Sequence, residues 1–282
     1  MMIGYSKLVE GYSHIYMLNG YRFPKNKTTL YKYMPLNRLL DAISKKELVF
    51  VSPEVWYDPF EQLYHGIDLS ARGYKTEEIA CMCLSEKSST NEDASWRVYA
   101  DSNNKCVRLS VEQDALLKLL DDYASKNGFT VYIGKVNYSF EKRTIKNLWN
   151  CSIMESREYF PEKMKREHYL SIMLLKRKAF QYENEVRVFL VKDKIAFNNN
   201  LLKLSCNYKQ LKLVSNVMLS PYPPVRVQND LAYSIREKLN DMESEAIKHE
   251  LKSLLSCRIQ QSKLYKVYPK VKTLQLLEMS YI

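Results

Sequence analysis

The chain has 282 residues, 46% of them apolar and 27% charged, enough to bury a full hydrophobic core and too apolar for a disordered protein. It has only 7 glycines, and neither G-x-G-x-x-G nor G-x-x-x-x-G-K-[ST] occurs, which argues against glycine-loop nucleotide binding. The 43 Lys and Arg against 32 Asp and Glu leave a formal charge of +11, which favours a polyanionic partner.

No apolar run approaches the roughly 20 residues of a membrane span, so no membrane partner is expected. The polyanion is either nucleic acid or a membrane surface, and nucleic acid is the favoured reading. The 22 tyrosines are either rings on which single-stranded RNA or DNA stacks, or core residues with their hydroxyls at its edge. Six cysteines in a chain without a secretory signal predict a reduced, cytoplasmic location. Cys81 and Cys83 form a C-x-C, but no second ligand pair stands at zinc-finger spacing, so no metal is expected.

Residues 1–29 read as a polar, tyrosine-rich N-terminal arm. A single domain over 30–282 follows, with 241–282 as an extension packed on it. "TLYKYMPLNRLLDAISKKELVFVSP" predicts a strand at 30–33, a helix over 36–46 and a strand at 48–51. Leu36, Leu39, Leu40 and Ile43 share one helical stripe. After a two-proline loop, "IACMCL" (79–84) and "KCVRLS" (105–110) predict strands separated by a polar loop and a short helix. Ser110 with Gln113 makes a capping box for a helix that closes near Gly128. "TVYIGKVNY" reads as a strand, and a basic helical region follows over about 141–180. Strands at 185–191, 201–204 and 213–219 come next, then a helix over 226–240 and a charged helix to about 257. Strands near 263–268 and 271–277 complete the chain. Strands interrupted by helices without βαβ regularity read as α+β.

The stretch "QYENEVRVFL" sets Glu183 and Glu185 at the mouth of an apolar strand. Alternation puts both side chains on one face, about 7 Å apart. A carboxylate there, aimed into a cleft, suits the stabilisation of a developing positive charge; alternatively Glu183 or Glu185 pairs with Arg187 on the same face. Glu243 and Glu245 repeat the spacing inside a charged helical run and read as a solvated face. In "ASWRVYAD", Trp96 and Tyr99 lie at i, i+3 of a short helix, as core packing or as a platform for a ring. Tyr31 and Tyr33 share one face of their strand. No Ser/His/Asp order and no H-E-x-x-H supports a hydrolase or metalloprotease.

Four blocks, "LYKYMPLNRLLDAISKKELVFVSPEVWYDPFE", "CLSEKSSTNEDASWRVYAD", "KRKAFQYENEVRVFL" and "VSNVMLSPYP", resemble in order and spacing a bacterial family catalogued as domain-of-unknown-function family 2971. The first block is also similar in layout to ADP-ribosyltransferase toxins, including the DarT-type enzymes that modify nucleic acid. That resemblance implies an α+β fold with a split mixed β-sheet core and NAD as co-substrate. It implies Glu185 as the catalytic carboxylate with Glu183 two residues before it. Tyr33, with Lys32 beside it, takes the NAD-contacting place of the first strand, and Ser85 the place of the middle strand. Tyr33 stands where the family more often has His or Arg, and the middle motif departs from S-T-S. The same resemblance implies that Trp96 or Tyr99 stacks the nicotinamide or a target base, and that Lys32, Lys178 or Arg187 holds the pyrophosphate. Basic clusters in "EKRTIK", "KMKREH" and "KRK" suit single-stranded RNA or DNA as acceptor. The implied role is a toxin of a phage-defence or toxin–antitoxin system, with mRNA-modifying toxins among its likenesses, held by an inhibitory antitoxin. Two alternatives stand beside it. One is a noncatalytic nucleic-acid-binding or defence-sensor module; the other is a metal-dependent nuclease using Glu183, Glu185 and Asp58.

Overall fold

The apolar runs of the chain pair into one mixed sheet of eleven strands among the described residues, with a two-stranded sheet beside it. The structure is a computed structural model and describes residues 5–24, 29–56, 58, 61, 78–86, 92–100, 105–140, 166–221 and 233–262. The strands expected near 263–268 and 271–277, the start of the helix expected at 226, most of the expected basic helix and the "EKRTIK" cluster lie outside them.

In chain order the elements are β1 (Ser6–Leu8), β2 (Ile15–Leu18), β3 (Thr29–Pro35), α1 (Leu36–Lys45), β4 (Glu47–Val51), β5 (Ile79–Ser85), α2 (Glu92–Val98), β6 (Cys106–Glu112), α3 (Gln113–Asn127), β7 (Thr130–Lys135), β8 (Asn137–Phe140), α4 (Arg166–Ile172), β9 (Leu175–Arg177), β10 (Glu185–Val191), β11 (Leu201–Ser205), β12 (Val214–Leu219), α5 (Tyr233–Leu254) and β13 (Arg258–Gln261). The class is α+β, as the pattern of elements predicts.

The main path of the sheet runs β1-β2-β7-β10-β5-β3-β6-β12-β13, and β4, which carries β11, joins at β5. Pairing is antiparallel except for β2 with β7 and β12 with β13. One edge of β5 pairs with β10 along its whole length, from Glu185 opposite Ser85 to Val191 opposite Ile79. The other edge is shared. Tyr31 of β3 pairs with Ser85, and Val51 of β4 pairs with Cys81. Between those two contacts β3 and β4 part, leaving the backbone around Cys83 without a ladder partner on that edge. An edge carbonyl must find a donor elsewhere, and Lys32 supplies it, its Nζ donating to the Cys83 carbonyl at 3.1 Å.

β10 is buried on both faces, as a continuous apolar run requires. Val186, Val188 and Leu190 face the core under α1 and α3, with Leu39 and Leu120. Phe189 and Val191 face a second core with Tyr169, Leu170 and Met173 from α4 and the turn after it. Leu36, Leu39 and Ile43 of the predicted stripe are buried, and α1 ends at Lys46 in the left-handed conformation, φ 54°.

Several boundaries differ from the sequence expectation. Residues 5–24 are no loose arm: Ile15 and Leu18 are fully buried and β2 pairs with β7, because the apolar "IYML" outweighs its polar flanks. The capping box is not used. Ser110 lies inside β6 opposite Tyr31, and Glu112 precedes α3 without a side-chain cap; the long β3–β6 ladder outcompetes one local bond. α3 does close at Gly128, φ 68°. "TVYIGKVNY" is two strands: β7 ends where the Val136 N–H donates to the Glu185 carbonyl at 2.9 Å, and β8 leaves to pair with β9. In the described part of 141–180 only α4 is helical; β9 and a 3-10 turn over Lys178–Glu183 follow it.

Candidate functional site

Glu183 closes that 3-10 turn, and Asn184 reverses the chain in the left-handed conformation, φ 44°, which Asn tolerates better than most side chains. Strand β10 begins only at Glu185, so strand alternation does not relate the two glutamates. They converge for another reason. Lys176 of β9 folds back over the turn, and its Nζ donates to Glu183 Oε2 at 2.6 Å and to Glu185 Oε2 at 3.0 Å. Ser85 fixes the turn by donating to the Glu183 carbonyl at 2.6 Å, and the Glu185 N–H donates to Tyr138 Oη of β8 at 2.8 Å.

The pairing considered for Arg187 holds for Glu185 alone. Its Nε lies 2.9 Å from Glu185 Oε1 and its Nη2 3.2 Å from Oε2. Nη2 also meets Glu61, and Nη1 donates to the Met173 carbonyl. The guanidinium lies over Trp56, 4.2 Å from the ring centroid, and Arg187 is 1% exposed. Enclosed in this way, its guanidinium is engaged by carboxylates and a carbonyl of the chain itself.

Two carboxylates on one ammonium are driven apart in acidity. Burial pushes Glu183 up to about 7, helped by neighbouring Glu185 and opposed by Lys176. Burial also disfavours the Glu185 carboxylate, but Arg187 and Lys176 outweigh it and hold Glu185 well below the usual range. Native Glu183 therefore keeps a proton that the unfolded chain loses near its ordinary 4.5, so its contribution to stability falls as pH rises between about 4.5 and 7. Glu185 contributes stability above its unfolded value that is lost only in acid. In Glu183→Gln the first effect disappears. Thermal unfolding should show the variant gaining on wild type by roughly 2–3 kcal/mol, several degrees, from pH 5 to pH 8. A difference independent of pH would contradict the assignment.

Beside the pair, at the fork of β3, β4 and β5, lies a cavity of about 600 Å³, within the usual range for a small-molecule site. Its wall includes Lys32, Trp56, Tyr99, Lys176 and Phe180, so the ammonium that holds both carboxylates is part of the cavity wall. Burial lowers the Lys32 pKa. Tyr99 is the aromatic of "ASWRVYAD" that reaches the cavity. Trp96 is fully buried and is not part of the wall. Its ring meets that of Tyr33 edge-on at 5.1 Å, and Tyr33 stacks on Tyr99 at 6.1 Å, so Tyr33 supports the wall from behind. Lys178 is exposed on the turn and is not part of the wall. Asp58 is bound to Arg177 at 3.1 Å. Among the described residues no three His, Cys, Asp or Glu side chains are grouped to hold a metal ion.

The second E-x-E is a solvated face only in part. Glu245 is 69% exposed and pairs with Lys248 within its own helix, whereas Glu243, 31% exposed, is tied to the distant Lys105. Sequence reasoning missed Lys176, Glu61 and Tyr138. Only Lys176 had a signal, as part of "KRK", and nothing local tied it to the glutamates.

Residues 95–188 match the family described as protein of unknown function, DUF2971. That third of the chain contains Tyr99, Tyr138, Lys176, Glu183, Glu185 and Arg187, while Lys32 and Tyr33 precede it. No curated protein and no solved structure matches the chain. No helix among the described residues is long and apolar enough to cross a membrane.

Proposed function

We propose that the cavity binds NAD as a substrate and that Glu183 and Glu185 act in transferring its ADP-ribose to a base of single-stranded nucleic acid, RNA before DNA. The observation that carries this reading is the pair itself: two carboxylates gathered on Lys176 at the mouth of β10, beside an aromatic-walled cavity, with burial raising the proton affinity of Glu183 and Arg187 lowering that of Glu185. Environments that push two carboxyls apart assign them different roles. Glu185, ionised, stabilises the oxocarbenium-like charge on the ribose as the bond to nicotinamide breaks. Glu183 accepts the proton of the attacking acceptor as its bond to the ribose C1′ forms. Nicotinamide leaves neutral.

The residues present suit such a substrate. Tyr99, Trp56 and Phe180 offer ring faces, and Lys32, whose ammonium donates to the Cys83 carbonyl, supplies positive charge for a phosphate. The +11 charge favours a polyanionic acceptor over an acidic protein surface. A transferase of this kind consumes the NAD of its own cell unless restrained, so an inhibitory antitoxin and a role in phage defence in the cytoplasm belong to the same proposal.

Incubation with NAD labelled in the adenylate and separate pools of RNA, DNA and protein tests the proposal. Label in the RNA pool is expected. Label confined to protein would overturn the acceptor, and no label with no nicotinamide released would overturn the reaction.

A further inference from the structure

We propose that Lys176 is the positioning residue of this site: its single ammonium, delivered by the β8–β9 sheet, gathers Glu183 and Glu185 side by side and keeps Glu183 able to give up its proton. This rests on the reading of the carboxylate pair as the reacting groups and names the residue that makes them a pair.

The geometry is specific. Glu183 and Glu185 lie on opposite sides of a left-handed residue, in a 3-10 turn and a strand, so the backbone alone does not bring their carboxylates together. Lys176 contacts both and is only 10% exposed. The ring of Phe180 lies 5.1 Å from its ammonium, holding it over the turn. β9 is anchored by parallel pairing with β8, and β8 also carries Tyr138, whose hydroxyl accepts from the Glu185 N–H. One small sheet thus holds both the cation and the backbone of the strand mouth.

The other groups around Glu183 do not substitute for it. Glu185 and Glu61 are anionic and raise its proton affinity. Arg187 is taken up by Glu185 and Glu61. Lys32 is bound to the Cys83 carbonyl. Tyr99, Tyr138 and Tyr182 all have raised pKa values, as has Cys83, and these groups are neutral near pH 7. Lys176 is therefore the cation that offsets burial at Glu183.

The test reads Glu183 directly, without substrate, from the side-chain carboxyl carbon signals of protein labelled at Glu, with the Glu183 signal assigned by its loss in Glu183→Gln. Lys176→Gln is expected to raise the proton affinity of Glu183 about tenfold or more, whereas Lys176→Arg keeps it near wild type. In wild type, the Lys176 side-chain nitrogen should respond at the Glu183 midpoint, a reading that stands even where Lys176→Gln fails to fold. A folded Lys176→Gln with an unmoved Glu183, or a Lys176 nitrogen blind to that titration, overturns the proposal. NAD turnover is measured separately: coupled titration without turnover removes the transferase reading and leaves the positioning role. Turnover without coupling removes this inference alone.

Discussion

Replacing Glu185 with Gln is expected to lower nicotinamide release from NAD by a factor of about 10² to 10³, the scale of one lost charge-stabilising group at a developing charge. The same change carries a structural cost. Gln cannot balance Arg187, 1% exposed, or Lys176, 10% exposed, and removing one partner of a buried pair costs about 3–5 kcal/mol. Part of that is recovered, because Glu183 is free to ionise fully against Lys176, so the lower end of the range is expected. Lost activity in Glu185→Gln is therefore ambiguous by itself. Glu185→Asp separates the two effects. It keeps the charge and so most of the stability, but draws the carboxylate back by one methylene, and a misplacement on the order of 1 Å can cost about 10² in rate. A folded Glu185→Asp with full activity would assign Glu185 to structure.

Arg187→Met is expected to produce the largest loss of stability at any single position of the site. Its guanidinium joins Glu185, Glu61 and the Met173 carbonyl and lies over Trp56. Without it two carboxylates face each other in a site from which water is excluded, with Lys176 the nearest remaining cation. The expected cost is again about 3–5 kcal/mol, a fall in Tm of roughly 10 °C for a chain of this size. The mechanism makes a sharper statement about the double variant. Arg187→Met with Glu61→Gln removes one of the stranded charges and should recover part of the loss, a coupling of about 1–3 kcal/mol in a double-mutant cycle. Strict additivity would show that Arg187 acts through packing against Trp56 alone. On the surface, by contrast, Lys248→Ala, which breaks a pair with a 69% exposed Glu245, is expected to change stability by less than about 0.5 kcal/mol.

Much of the sheet is legible in the sequence because its signals are local. The apolar run of β10 appears with its boundaries intact, and α1 is marked by its stripe. The site is legible only in part. Glu185 is visible as a charge opening an apolar strand, but the convergence of Glu183 upon it depends on a 3-10 turn and a left-handed Asn184 that alternation does not anticipate. Lys176 reaches the pair because β9 docks on β8, and Glu61 because a distant segment folds over Arg187; neither contact has a local period to read. Trp96 and Arg187 are both buried, and the sequence around them carries no local sign of it.

The central claim is that the carboxylate pair works at the ribose C1′ of NAD, and Glu183→Gln tests it most cleanly, since this variant is expected to fold at least as well as wild type at pH 8. Nicotinamide release should be measured for both proteins at that pH with single-stranded RNA present. Wild type is expected to release nicotinamide in step with ADP-ribose transfer, and Glu183→Gln to fall by about 10²-fold or more. Equal rates in the two proteins, or no release from folded wild type freed of any inhibitor, would contradict the account.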